Sequence, residues 1–168
     1  MPELSEAEVI RRAHQDAEEG KSPSTQAGEF VREEIEHVRH GVHGARNIKQ
    51  AIAIGLSKAR RAGVKLPPPK KRTASAEIRH QAERDLQKGA RHKHTRPSHT
   101  RSQAVLHALQ RESTTSASPE QLSRQAKTVA RRRGSKARHA SAMAAVRTKG
   151  PRGLRRAARK AAATRRSR

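Results

Sequence analysis

Residues 47–63 read NIKQAIAIGLSKARRAG, and this stretch decides the fold. Its apolar and small residues recur three and four positions apart, which places them on one stripe of an α-helix. The stripe consists of Ile48, Ala51, Ile52, Gly55, Leu56, Ala59 and Ala62. Asn47 is suited to cap the first turn, and Gly63 to close the last one. The sequence therefore predicts a helix with one buried face and one solvent-exposed, basic face.

A second amphipathic helix is predicted just before this one, from about residue 26 to His40. Phe30 stands beside a line of apolar residues with helical spacing. That line is Val31, Ile35, Val38 and Val42. Gly41 and Gly44 end the helix and leave only a short connection, and short connections favour antiparallel neighbours. Residues 20–66 should therefore form a small helical hairpin.

The composition of the whole chain limits how much of it can pack. Lys and Arg number 39 against 15 Asp and Glu, and the formal net charge is +24 over 168 residues. Leu, Ile, Val and Phe together supply only 23 residues. Low aliphatic content with high net charge is typical of disorder. We therefore predict an all-α protein: a small helical hairpin core with additional helices and a largely disordered basic C-terminal tail.

Composition shifts divide the chain into five predicted segments. An acidic N-terminal helix, capped by Ser5, occupies residues 1–19, and the hairpin module occupies 20–66. A Pro/Lys linker, in which three prolines make a stiff spacer, covers 67–73. Basic helices with a His-rich linker cover 74–112, and an Ala/Lys/Arg-rich tail covers 113–168.

Three more helices are predicted in the basic part of the chain. The first runs over residues 73–88 with Gly89 as its C-cap, and the second runs from a capping box at Thr100 to about Arg111. The third begins at Ser118-Pro119 and should run to Arg133. Residues 121–168 hold 17 Lys or Arg, 12 Ala and no acid. Like charges three and four apart repel, so this tail should be mostly mobile until phosphates neutralise it.

Catalytic and metal chemistry have little support in the sequence. The chain lacks Cys, a nucleophile motif and any segment able to line a deep apolar pocket. His37, His40 and His43 have a spacing that could be interpreted as a metal cluster. We interpret them as polar residues at a helix end, because Gly41 interrupts the helix. The prediction is a protein that is not an enzyme, with no catalytic residues, no cofactor and no metal.

Several segments resemble a bacterial family of small basic proteins that is defined by a domain of unknown function. The closest similarity lies in GKSPSTQAGEFVREEI at 20–35, GVHGAR at 41–46 and KQAIAIGLSKARRAGVKLPPP at 49–69. Looser similarity lies in SRQAK at 123–127 and RTKG at 147–150. Members of that family are labelled DNA-binding proteins, so the resemblance implies nucleic-acid binding. The resemblance implies no catalytic residues.

The charge makes a polyanion the expected partner. The tail resembles histone-like basic tails, and it lacks the large apolar residues that would insert into a membrane beside its charges. We therefore expect sequence-independent DNA binding by a nucleoid-associated protein of the cytoplasm, with no membrane partner. RNA or the ribosome is the second candidate partner. A structural adaptor, in which the acidic head recruits a basic partner or shields the tail, is a third interpretation, and residues 26–66 could mediate self-association.

The candidate nucleic-acid contacts are the exposed-looking Lys and Arg residues after the hairpin, since each could neutralise a phosphate. They are Lys70, Lys71, Arg72, Arg91, Lys93, Arg96, Arg101, Arg124, Lys127, Arg131, Arg132, Arg133, Lys136, Arg138, Arg147, Lys149, Arg152, Arg155, Arg156, Arg159, Lys160, Arg165, Arg166 and Arg168.

Overall fold

A computed structural model describes residues 5–91 and 98–166, which form helices and no strands. The prediction of an all-α protein is confirmed. In chain order the elements are α1 (Glu6–Glu18), α2 (Pro23–Arg39), α3 (Ile48–Arg61), α4 (Ala76–Ala90), α5 (His99–Gln110), a short 3₁₀ helix (Thr114–Ala117) and α6 (Pro119–Arg166). The chain divides into two compact units, Met1–Gln125 and Ala126–Arg168.

The helical hairpin is the centre of the first unit. α2 and α3 pack along each other, and the predicted stripe of α3 faces inward. The side chain of Asn47 accepts a hydrogen bond from the backbone N–H of Gln50 at 3.1 Å, as predicted for an N-cap. Val42 departs from the predicted stripe: it lies beyond the end of α2 and is 42% exposed.

Two apolar clusters line the hairpin. The first contains Val9, Ala13, Ala27, Phe30, Ala59 and Val64. The second contains Val38, Ala45, Ile48, Ala51 and Ala117, with Leu122 packed against it. Because helix α1, the 3₁₀ helix and the start of α6 each contribute, the core extends beyond the residues that the hairpin alone supplies.

Side-chain contacts fix both ends of α1, and those at its C-terminal end involve Lys21, which leads into α2. Ser5 caps its first turn by accepting a hydrogen bond from the Glu8 N–H at 3.3 Å. At the other end Lys21 lies 2.5 Å from Asp16 and 2.7 Å from Glu19. Hydrogen bonds to these two carboxylates raise the pKa of Lys21 above its usual value. The acidic head is therefore partly neutralised by a cation of the hairpin module.

α4 packs on α3, so the compact part of the chain continues past the prolines. Gly89 is not the predicted C-cap; it lies buried inside α4, where a Cβ atom would stand 2.1 Å from the Arg60 carbonyl oxygen. Arg60 is itself buried and donates to the carbonyls of Leu66 and Pro67 at 3.1 and 3.3 Å. Burial lowers the pKa of Arg60. These bonds tie the predicted linker to the core.

The prediction of a largely disordered tail is not supported, because residues 119–166 are helical. Ala, Arg and Lys are strong helix formers, whereas each repulsive pair costs only a few tenths of a kcal/mol. Gly134 (φ 71°) and Gly150 (φ 61°) break α6 into three helical segments, at positions that favour glycine. The first segment begins after Ser118 and ends at Arg133, as predicted.

α5 differs from the other helices of the first unit because it buries no residue. It begins at His99, without a side-chain cap hydrogen bond, so the predicted capping box at Thr100 does not form. Most of the predicted His-rich linker, residues 92–97, lies outside the described ranges. Over the described parts of the chain, no helix is both long enough and apolar enough to cross a membrane.

Candidate nucleic-acid interface

The predicted contact residues are almost all at the surface. Lys93, Arg96 and Arg168 lie outside the described residues. The other 21 are all exposed. Lys70, Lys71 and Arg72 lie in the turn that leads to α4, whereas Arg91 and Arg101 stand singly in the first unit. The remaining described candidates lie on α6.

Cations in the hairpin half of the chain are largely engaged within it. Arg12 donates to Glu8 at 2.7 Å, and Arg32 pairs with Glu29. Arg39 donates to the Ala117 carbonyl oxygen at 2.9 Å, which holds the 3₁₀ helix against α2. These bases have roles in the fold, and none of them was among the predicted contacts.

The second unit has a different charge balance. Residues 126–168 contain 16 Lys or Arg and no Asp or Glu, so they carry two thirds of the net charge of the chain in about a quarter of its length. Two of these arginines donate hydrogen bonds to neutral groups: Arg133 to the Ser141 hydroxyl, and Arg138 to the Ala130 carbonyl oxygen. The unit therefore contains no acidic side chain of its own that could neutralise its cations.

The last segment of α6 places six of its seven described cations on one side, and Arg165 lies on the opposite face. Six of them recur at positions 0, 3, 4, 7, 8 and 14, which keeps them on one face of a helix. We name this face the C-terminal cationic stripe; it consists of Arg152, Arg155, Arg156, Arg159, Lys160 and Arg166. The stripe spans about 21 Å at 1.5 Å per residue. Leu154 and Ala157, on the opposite face, are half-buried.

The two earlier segments of α6 carry their cations differently. Arg124, Lys127 and Arg131 follow one line on the first segment, at helical spacing. Between Gly134 and Gly150 the cations fall on two opposed faces, with Ala-rich surface between them. Only the last segment therefore presents a dense one-sided row.

A buried polar cluster in the first unit was not predicted. Glu34 is 0% exposed, and its Oε1 lies 3.1 Å from His43 Nε2. Lys58 Nζ stands 2.9 Å from Glu34 Oε2 and 3.7 Å from Glu33 Oε2. On α2, Glu34 falls four residues after Phe30 and four before Val38, so the polar cluster separates the two apolar clusters.

Part of the first unit is similar to a known protein family. Residues 24–71 match the family of unknown function DUF6496. The DUF6496 region contains α2 except for its first residue, all of α3 and the basic turn as far as Lys71, and it ends before α6. The predicted resemblance to a family with a domain of unknown function is thereby confirmed over that region. The chain has no match among curated proteins or solved structures.

The DUF6496 region also holds every member of the buried polar cluster. Of the three histidines considered from the sequence, His37 and His43 approach Glu34, whereas His40 is exposed. The signal that could have identified the cluster is the Glu34-x-x-His37 spacing, which puts both side chains on one face of α2. The partnership of Glu34 with Lys58 and His43 depends on how the hairpin closes.

Proposed function

We propose that the protein binds duplex DNA without sequence preference, through the cations of residues 126–166. The observation that carries this proposal is the exposed set of Lys and Arg residues in a unit that contains no acidic side chain. Each phosphate that such a cation neutralises releases condensed counterions, which is the main favourable contribution to non-specific binding.

The helical form of α6 favours DNA over RNA. A helix holds the C-terminal cationic stripe at fixed spacing, and the major groove of B-form DNA, about 12 Å wide, admits a helix with phosphates on both sides. The major groove of A-form RNA is deep and narrow. A cationic helix would therefore meet more phosphates on DNA.

Single-stranded nucleic acid is a poorer match for this surface. Its binding proteins rely on aromatic side chains as stacking platforms. The sequence contains no Trp or Tyr, and Phe30 is 1% exposed within the first apolar cluster. Contacts from this chain would therefore be made to the sugar-phosphate backbone, which carries no sequence information directly. Such binding suits a nucleoid-associated, histone-like protein of the bacterial cytoplasm.

Self-association through residues 26–66 stays a prediction. Apart from Val42, the apolar stripes that suggested it are covered within the first unit by α1, α4 and the 3₁₀ helix. Any such contact would therefore have to use the polar outer faces of α2 and α3.

The test is the salt dependence of binding to a short duplex of mixed sequence. The affinity should fall steeply as salt increases, with a slope of about −0.9 per phosphate contacted. The double variant Arg155→Ala/Arg159→Ala should reduce the magnitude of that slope by up to about 1.8. The control, Arg11→Ala/Arg32→Ala, removes the same charge from residues that pair with Glu8 and Glu29, and should leave the slope unchanged.

Three results would contradict the proposal. They are a slope near zero, equal effects of the two double variants, and displacement of DNA by structured RNA at equal nucleotide concentration and matched salt. The last result would assign the surface to RNA. If the chain binds neither polymer, the adaptor interpretation becomes the one to pursue.

A further inference from the structure

The buried polar cluster of the hairpin has the donor atoms of a metal site. Glu34 and His37 lie one turn apart on α2, and His43 comes from the connection between α2 and α3. One ligand atom from each of the three residues lies within 4.8 Å of the other two. We propose that Glu34, His37 and His43 bind one Zn²⁺ ion, with a fourth position left to water.

The hydrogen bonding of His43 points to a cation beside it. Its Nδ1 lies 3.0 Å from the Gly44 carbonyl oxygen, and its Nε2 lies 3.1 Å from Glu34 Oε1. Both neighbours are acceptors, and a neutral imidazole has only one N–H to donate. Donation from Nδ1 to the backbone carbonyl is the usual arrangement for a metal-binding histidine. It leaves the Nε2 lone pair facing a carboxylate oxygen, and a cation placed between these two atoms would bind both.

The charge of the cluster also favours a bound cation. Glu33 and Glu34 are both buried, and the single ammonium of Lys58 lies near both. Within the described residues, neither oxygen of Glu34 accepts a hydrogen bond of regular geometry. Buried carboxylates are costly unless they are paired or bind metal. A divalent ion on Oε1 would more than offset the remaining negative charge while Lys58 keeps Oε2.

The distances suit zinc. Zn–N and Zn–O bonds of about 2.0–2.2 Å in a tetrahedron place neighbouring ligand atoms about 3.3 Å apart. The His43 Nε2 to Glu34 Oε1 distance of 3.1 Å is close to that value. His37, which is half-buried, would need to move its ring by up to about 1.5 Å toward the other two ligand atoms. Two imidazoles and one carboxylate form a recognised three-ligand zinc set with an open position.

The experiment measures metal binding by the full-length chain after treatment with a chelator. Co²⁺ serves as the spectroscopic probe, because its four-coordinate complexes absorb visible light, and Zn²⁺ should displace it with one tight equivalent. His43→Ala and His37→Ala should each weaken that equivalent by more than about 100-fold, above the 10–100-fold effect of losing an outer-shell partner. His40→Ala is the matched control, since His40 is exposed and should leave binding unchanged.

A second measurement uses the melting temperature of the protein and not the visible absorbance of Co²⁺. Zn²⁺ at about 100 times its dissociation constant should raise the melting temperature of the wild type by on the order of 10 °C, and that of His37→Ala far less. Because His37 is half-buried, this variant should fold even if His43→Ala does not. The proposal is overturned if the wild type shows no four-coordinate Co²⁺ spectrum, or if His37→Ala binds Zn²⁺ as tightly as His40→Ala. Either result would mean that the cluster does not bind zinc through these three residues.

Discussion

Gly55 of α3 lies directly against the backbone of Val31 in α2. A Cβ atom on Gly55 would stand 2.7 Å from Val31 Cα and 2.9 Å from the Phe30 carbonyl oxygen. The two helices can therefore approach closely only because residue 55 has no side chain. This glycine lies in the middle of the stripe that predicts the hairpin, where composition alone would favour a larger apolar residue.

The first prediction concerns that close approach. Gly55→Ala should destabilise the protein by about 1–3 kcal/mol, because the helices must separate to admit the methyl group. Gly28→Ala is the control: Gly28 is also helical, and a Cβ atom there would meet no other atom within 4 Å. Alanine should there stabilise by about 0.5–1 kcal/mol through its helix propensity. Urea unfolding measures both changes, and a destabilising Gly28→Ala or a neutral Gly55→Ala would contradict the packing described.

A second prediction concerns Lys58, the ammonium near both buried carboxylates. Lys58→Met keeps most of the aliphatic stem but leaves Glu33 and Glu34 without that positive charge. Loss of one partner of a fully buried pair costs about 3–5 kcal/mol, and the 30% exposure of the Lys58 side chain should reduce the loss to about 2 kcal/mol. Lys49→Met, on the exposed face of α3, should change stability by less than about 0.5 kcal/mol. Equal denaturation midpoints for the two variants would refute this account of the cluster.

The third prediction tests the breaks in α6. Gly134 has φ 71° and open space around its Cβ position, so Gly134→Ala meets backbone strain and no clash. Alanine should relieve the strain by adopting helical angles, which would join the flanking segments into one helix. Gly150→Ala should gain less helix, because residue 150 precedes Pro151 and that position disfavours helical angles. Far-ultraviolet circular dichroism compares the two, and a larger gain at residue 150 would contradict the prediction.

The fourth prediction concerns pH and the ion pairs at the end of α1. The hydrogen bonds from Lys21 to Asp16 and Glu19 raise its pKa above 10.5 in the folded state. A raised pKa means that the stabilisation is fully present below the unfolded-state value and disappears as pH rises through the folded-state value. The wild type should therefore lose stability above about pH 10.5 through this group, and Lys21→Met should lack that part of the loss. The measurement is the urea midpoint of each protein between pH 9 and 12. If the midpoints of the two proteins fall in parallel as pH rises, the prediction is contradicted.

The sequence alone determined the local features of this protein. Helical spacing identified α2 and α3, and the capping residues Ser5, Asn47 and Ser118 marked helix starts that the structure reproduces. These features depend on residues a few positions apart, which is why a single sequence contains them. The charge separation between a mixed first unit and an acid-free second unit is likewise a property of composition.

Only the tertiary structure decided which residues meet. It buried Gly89 against Arg60, placed Glu34 beside Lys58 and His43, and left His40 outside that group. Neighbours distant along the chain carry no periodic signal, because their contact depends on how neighbouring helices are positioned. The prediction of a disordered tail failed for a different reason. It depended on the summed charge of the segment, whereas helix formation depends on the helix propensity of each successive Ala, Arg and Lys.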